Sequence, residues 1–217
     1  MDLFEKYLQQ QIEVIVSGTK RHSGILLAQG TDTIVIYNGE DYVYISNSHI
    51  QKLKKSERKK IQMTSEDEIE WNNLSIRKIL TSYKGVFTEI SVTDTETIHG
   101  YVTSVLNDYF VFYSPVYKTM FIPLKNIKWL IPYRSHQTPY ALGNERFPVK
   151  PSNITVARTF DIQLEKLIGQ IIILDLGLAT DKIGQLKKIT DNYLELATAR
   201  EDSVYINLLH VKSVHFQ

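Results

Sequence analysis

The sequence predicts a mainly β protein built from three tandem copies of one small module, each a short N-terminal helix followed by about five strands. Three observations carry that expectation. Gly24, Gly100 and Gly184 each follow an apolar run that reads as a strand. Each is followed by an Asn- or Asp-containing turn at an offset of seven to nine residues. Each copy then closes on one short signature at a nearly constant distance: 25 residues from Gly24 to His49, and 26 from Gly100 to Asn126 and from Gly184 to His210. A fixed period of this kind marks a repeated supersecondary unit.

Each copy opens with apolar residues at helical spacing: Leu3, Phe4, Tyr7 and Leu8, then Ile76, Ile79, Leu80 and Tyr83, then Phe160, Leu164, Leu167 and Ile168. Asp161 favours a helix start, and Gly85 and Gly169 supply the left-handed residue that ends the second and third helices. The first strands are Ile12–Val16, Val86–Val92 and Ile171–Leu174. The anchor glycines then mark a strand bend that a side chain would obstruct. The turns Thr31-Asp32-Thr33, Asn107-Asp108-Tyr109 and Asp191-Asn192-Tyr193 suit tight hairpins, since Asn and Asp tolerate left-handed backbone and bond to their own chain. The next strands are Ile34–Ile36, Phe110–Phe112 and Leu194–Leu196. A polar loop separates each from Tyr42–Ile45, Met120–Ile122 or Val204–Ile206. His49-Ile50-Gln51-Lys52-Leu53, Asn126-Ile127-Lys128-Trp129-Leu130 and His210-Val211-Lys212-Ser213-Val214 close the copies.

A five-strand meander of this length must curl on itself to bury one face, which gives a small open barrel of the SH3/Sm-like kind. The expected organisation is barrel 1 over 1–54, a charged linker over 55–70, barrel 2 over 71–131, a Pro/aromatic connector over 132–159 and barrel 3 over 160–217. At roughly 55 residues, each module is near the lower size at which a domain folds alone, so contacts between modules should supplement each core. The first linker passes from a basic block (Lys52, Lys54, Lys55, Arg58, Lys59, Lys60) to an acidic one (Glu66, Asp67, Glu68, Glu70), which reads as self-compensating and solvated. The second holds Pro132, Pro139, Pro148 and Pro151 among Tyr133, Tyr140 and Phe147, which reads as an extended segment packed on a module.

Composition narrows function. Net charge is +1, with 43% apolar and 23% charged residues, so no overall field draws the chain to nucleic acid or an anionic membrane. There is no cysteine, which excludes disulfides, thiol catalysis and cysteine zinc sites. No run of about 18 apolar residues is present, and Met1–Gln10 lacks the basic start and apolar core of a signal peptide. None of the six histidines forms a His-x-x-x-His or His-x-His pair, so no metal site is expected. His49 and His210 share one repeat position, but Asn126 occupies it in the middle copy, so a turn or capping role accounts for all three. Asp32, Asp94, Glu96 and Asp108 fall at hairpin turns, where acids are the default surface choice. Neither a catalytic set nor a cofactor loop is expected. An Sm-like RNA site calls for a basic face with stacking aromatics and an Arg-Gly loop. Here the first turn acid comes eight residues after Gly24, and no Arg-Gly loop follows the later strand.

The closing motif Val204-Tyr205-Ile206-Asn207, followed by His210-Val211-Lys212-Ser213-Val214, resembles the repeat ending of the Bacillus spore coat protein B family. Leu164-Glu165-Lys166-Leu167-Ile168-Gly169 is similar to its repeat start. The family's Arg-Gly-Gly-Pro-Glu segment is replaced here, for example by Ser17-Gly18-Thr19-Lys20-Arg21, and its Ser/Lys/Arg-rich tail has no counterpart after Val214. The resemblance implies a non-enzymatic spore coat component, made in the mother-cell cytoplasm and acting through contacts with other coat proteins or as a homo-oligomer. An Sm-like RNA or small-ligand binding protein is the alternative. Tyrosine, with 13 copies, supplies the contact candidates: Tyr42, Tyr44, Tyr101, Tyr109, Tyr113, Tyr117 and Tyr205, for docking or for oxidative cross-linking.

Overall fold

The computed structural model describes residues 3–17, 20–57, 61, 73–94, 96–134, 140, 155–200 and 202–216. The chain is mainly β. A helical turn and five strands follow one another three times. First come a 3-10 turn at Glu5–Tyr7 and strands β1 (Gln11–Val16), β2 (Arg21–Gln29), β3 (Thr33–Tyr37), β4 (Tyr42–Ser46) and β5 (Ile50–Lys55). Next are helix α1 (Ile76–Ser82) and β6 (Phe87–Ser91), β7 (Thr97–Val105), β8 (Tyr109–Ser114), β9 (Lys118–Pro123) and β10 (Trp129–Pro132). Last are α2 (Phe160–Glu165) and β11 (Ile171–Leu174), β12 (Ile183–Thr190), β13 (Tyr193–Ala197), β14 (Ser203–Asn207) and β15 (Val214–Phe216). Each helical turn is followed by a residue of positive φ, Gln9, Gly85 or Gly169, which lies 15 residues before the anchor glycine of its repeat. A short 3-10 turn joins the fourth strand to the fifth each time, at Asn47–His49, Leu124–Asn126 and Leu208–His210.

The packing divides the chain into two compact units, Met1–Ile98 with Ile127–Ser135 and His99–Asn126 with His136–Gln217. The middle repeat contributes to both. Its β6 and β10 belong to the first unit and β8 and β9 to the second, and the chain passes from one to the other within β7. In the first unit the antiparallel order is β6-β10-β4-β3-β2-β1-β5, and in the second β14-β13-β12-β11-β15-β9-β8-β7. The fifth strand of a repeat therefore lies between its own first strand and the fourth strand of the preceding repeat. Trp129 and Leu130 of β10 sit opposite Ile45 and Tyr44 of β4, and Val214 and His215 of β15 opposite Phe121 and Met120 of β9.

Side-chain chemistry follows from that placement. The core of the first unit gathers Ile12, Val14, Val16, Leu26, Ile34, Ile36, Val43 and Ile45, and Trp129 from the second repeat completes it. The core of the second joins Tyr109, Val111 and Phe121 of the second repeat to Leu164, Leu167, Leu186, Leu194 and Val214 of the third. Each core is thus shared by two successive repeats, which offsets the small apolar area of a module this size.

The anchor glycines occupy one structural position, within the second strand and opposite the end of the third. A Cβ on Gly24, Gly100 or Gly184 would run into a backbone carbonyl of the facing strand, at Tyr37, Tyr113 and Ala197 respectively. The register shifts just beyond each, between Leu26 and Ala28, Val102 and Ser104, and Leu186 and Lys188. This bulge tightens the local twist and lets a long strand bend.

A second periodic device links the repeats. Asp32 Oδ1 accepts the N–H of Ile76 at 2.8 Å, and Asp108 Oδ1 accepts that of Phe160 at 2.9 Å. Both donors are the first residues of helices, so the second-to-third-strand turn of one repeat caps the helix of the next. Beside them, the Thr31 N–H donates to Leu74 O at 2.8 Å and the Asn107 N–H to Arg158 O at 3.1 Å.

Of the linkers, 58–60, 62–72, 135–139 and 141–154 lie outside the described residues, and with them most of the basic-to-acidic passage and Pro139, Phe147, Pro148 and Pro151. In the described part of the connector, Tyr133 meets the Phe87 ring edge-on at 5.0 Å and Tyr140 the His99 ring at 6.3 Å. No helix among the described residues is long and apolar enough to cross a membrane.

Two stability measurements check these devices by urea denaturation. Gly24→Ala, which forces a methyl against backbone, should cost about 3 kcal/mol. Gly85→Ala, with nothing within 4 Å of its Cβ but a φ of +78°, should cost only about 1 kcal/mol. Asp32→Ala and Asp108→Ala should each cost about 1 kcal/mol by uncapping the helix of the following repeat.

Candidate interaction surface

The residues singled out by sequence fall in different environments. His49, Asn126 and His210 each end the 3-10 turn before the fifth strand. His49 Nδ1 lies 3.2 Å from Ser17 Oγ. The Asn126 side chain donates from Nδ2 to Val211 O at 2.8 Å, so it ties its own turn to the closing signature of the next repeat. His210 is exposed.

Among the tyrosines, Tyr44, Tyr101 and Tyr109 are buried. The Tyr44 and Tyr83 hydroxyls are 2.8 Å apart, and burial together with that bond raises the Tyr44 pKa. Burial pushes Tyr101 up to about 12. Burial and the neighbouring Asp108 carboxylate do the same for Tyr109, whose hydroxyl donates to Ala157 O at 2.7 Å. Tyr42, Tyr113 and Tyr117 are half-buried. The Tyr42 ring rests against Tyr37 and that of Tyr117 against His215. Tyr205 is exposed on β14.

On the same face of the neighbouring strand β13 is the exposed Tyr193, which the sequence does not single out. Leu209, in the 3-10 turn after β14, is exposed too but lines the cleft beside Asp108 and Lys125. The repeat alignment supplies the equivalent positions and the structure supplies the contrast: Tyr193 stands where Thr33 and Tyr109 are buried, and Tyr205 where Tyr44 and Phe121 are buried. Between them, Glu195 replaces Val35 and Val111 and pairs with Lys188 at 3.5 Å. The result is an amphipathic surface of two tyrosines and a carboxylate along a sheet edge, since β14 is the last strand of its sheet order.

Among the described residues no cluster of three or more His, Asp or Glu side chains could hold a metal ion. A cleft of about 540 Å³ in the second unit brings Asp108, Lys125 and Asp161 near Phe160 and Leu209, but Asp108 is engaged with the α2 backbone. Lys128 is buried in the first unit, where it donates to Ser17 O at 3.1 Å and pairs with Asp94. This anchors β10 between β4 and β6 and leaves the amine no open face. His22 packs edge-on against Trp129 at 4.9 Å. Burial and the nearby Lys20 charge lower its pKa to about 4.

Two comparisons bear on identity. Residues 159–214 match the model of the YwrJ third domain. The chain is also 40% identical over 218 residues to the uncharacterized protein YwrJ of Bacillus subtilis (strain 168), covering 97% of each. The chain belongs to the YwrJ family. The matched third domain contains α2 and β11–β14 and reaches the first residue of β15, so the amphipathic edge lies within the family's third domain.

Two histidines, away from this edge, give the stability of the fold a pH signature. His22 binds a proton less readily in the folded chain than in the unfolded one, and burial lowers His215 in the same direction. Between pH 6.5 and about 4 the unfolded state therefore holds more protons, and stability should fall as pH falls through that window. For His22 the loss is of order 3 kcal/mol at most. Denaturation midpoints measured from pH 7.5 downward should show the decline, and His22→Phe should flatten it.

Proposed function

We propose that this protein is a non-enzymatic structural component of a bacterial spore coat, working through protein–protein contacts at exposed strand edges. In this reading each helical turn with its five strands is one small open SH3/Sm-like barrel. The strand orders β5-β1-β2-β3-β4 and β15-β11-β12-β13-β14, with a 3-10 turn before the fifth strand, support it. The observation that carries the proposal is the amphipathic edge formed by Tyr193, Glu195 and Tyr205. Exposed tyrosines beside an open sheet edge suit strand addition, in which backbone hydrogen bonds give affinity and side chains give selectivity. The relative's Bacillus origin agrees with the source of the family that the closing motif resembles.

Immobilised protein should retain coat proteins from a spore-coat extract, and Tyr205→Lys should reduce that capture. Deletion of the gene should change the extractable coat protein pattern of spores. An unchanged pattern, with no capture from extract, would sink the proposal. A salt-dependent mobility shift with single-stranded RNA would move the protein to the Sm-like nucleic-acid reading instead.

A further inference from the structure

The repeat geometry assigns a specific partner to the open edge at β14. We infer that copies of this chain associate head to tail, with β5 of one copy adding to β14 of the next in the place that a following repeat would fill. The inference rests on the reading of strand edges as contact sites and names the occupant of one of them.

Within the chain this joint is made twice. The fourth strands β4 and β9 each receive the fifth strand of the next repeat, with Leu130 opposite Tyr44 and Val214 opposite Phe121. These joints leave Tyr44 2% exposed and Phe121 0% exposed. Tyr205 is their equivalent on β14, fixed by the pairs Val35 with Tyr44, Val111 with Phe121 and Glu195 with Tyr205. It is 62% exposed. Among the described residues β14 pairs only with β13.

The complementary edge belongs to β5. Leu53 sits opposite Val14 as Leu130 sits opposite Ile90 and Val214 opposite Leu174. Leu53 is therefore the first repeat's version of the residue that covers Tyr44 and Phe121. Among the described residues β5 pairs only with β1, leaving the edge that β10 and β15 use for the preceding repeat. The register carried over places Leu53 opposite Tyr205, Lys52 opposite Ile206 and Lys54 opposite Val204. Tyr7 also lies two residues before Gln9, as Tyr83 lies two before Gly85. It holds the place from which Tyr83 covers Tyr44 at a ring separation of 5.7 Å.

Charge selects this pairing. Lysines on an edge strand ordinarily discourage strand addition, and β5 carries Lys52, Lys54 and Lys55. In the carried-over register Lys55 falls opposite Ser203, on the face that holds Tyr205 and the Lys188-paired Glu195 and one residue from Asp202. Lys52 and Lys54 fall on the other face, and Lys54 already pairs with Glu13. The β5 lysines thus repel a second β5, and Lys55 suits β14. Because the two surfaces differ, the contact is heterologous and extends beyond a dimer.

Sedimentation velocity on the purified full chain, over a concentration series at low salt, tests the joint. The wild type should shift to larger species with a Kd of about 10 µM, the range expected of a small polar contact. Tyr205→Lys should remove the shift, and the double variant Lys52→Glu, Lys55→Glu should weaken it at least tenfold. All three positions are exposed, and unchanged thermal melts check the fold. An equimolar mixture of the two variants should recover a 1:1 dimer and nothing longer, since one supplies an intact β5 and the other an intact β14. A wild type that stays monomeric throughout would overturn the inference. So would a lysine variant that associates as well as wild type while Tyr205→Lys does not, because that assigns a symmetric β14 contact. A monomer that still captures coat proteins through Tyr205 would give the edge to another protein, refuting self-association while leaving the proposed function standing.

Discussion

The structure depends on one transaction between neighbouring repeats, the handing of a fifth strand to the fourth strand of the repeat before it. A five-strand module whose fifth strand pairs with its own first strand leaves the outer edge of its fourth strand open. In β4 that edge is taken by β10, and in β9 by β15. Without a partner at that edge, Tyr44 or Phe121 would lie open to water as Tyr205 does on β14, forgoing about 1.5–3 kcal/mol of apolar burial each. The handover removes that cost and merges adjacent cores. Trp129 fills the core of the first unit, and Phe121 that of the second.

The helix caps reinforce the same direction. Asp32 and Asp108 sit in hairpin turns, yet their carboxylates bond to helix termini 44 and 52 residues further along. Each repeat therefore positions its successor twice, by a strand edge and by a cap, and the Asn126 side chain adds a third tie from the second repeat to the third. Such nearest-neighbour coupling is the logic of repeat proteins, in which interfaces contribute stability that single units lack.

Much of this architecture is legible in the sequence, because its landmarks are chemical necessities. Gly24, Gly100 and Gly184 are fixed by carbonyls that leave no space for a Cβ. Gly85 and Gly169 are fixed by positive φ, although Gln9 meets the same demand without being glycine. The partner of the fifth strand is harder to read. Lys52, Trp129 and Ser213 hold one alignment position with three different chemistries, so no pattern announces that this strand leaves its own repeat. The caps are equally silent. Asp32 and Asp108 look like ordinary turn acids until the helix start is placed beside them, and no local spacing encodes a contact 44 residues away. The candidate surface was half legible. Tyr205 stood out by its motif, but only the burial of Tyr44 and Phe121 at the same position reveals that its exposure is the exception.

The third repeat makes a compromise that the first two do not. At the positions of Val35 and Val111 it carries Glu195, and where Tyr109 is buried it exposes Tyr193. An exposed face kept wholly apolar would aggregate without selectivity, whereas one made wholly polar would offer a partner little contact. Retaining two tyrosines around one carboxylate does neither. The rings keep the contact area of the internal joints, since they pack while their hydroxyls remain wet. Glu195 is held by Lys188 at 3.5 Å, so its charge is compensated within the chain. In the proposed contact such an edge favours a strand with an apolar residue opposite Tyr205, and β5 supplies Leu53 there.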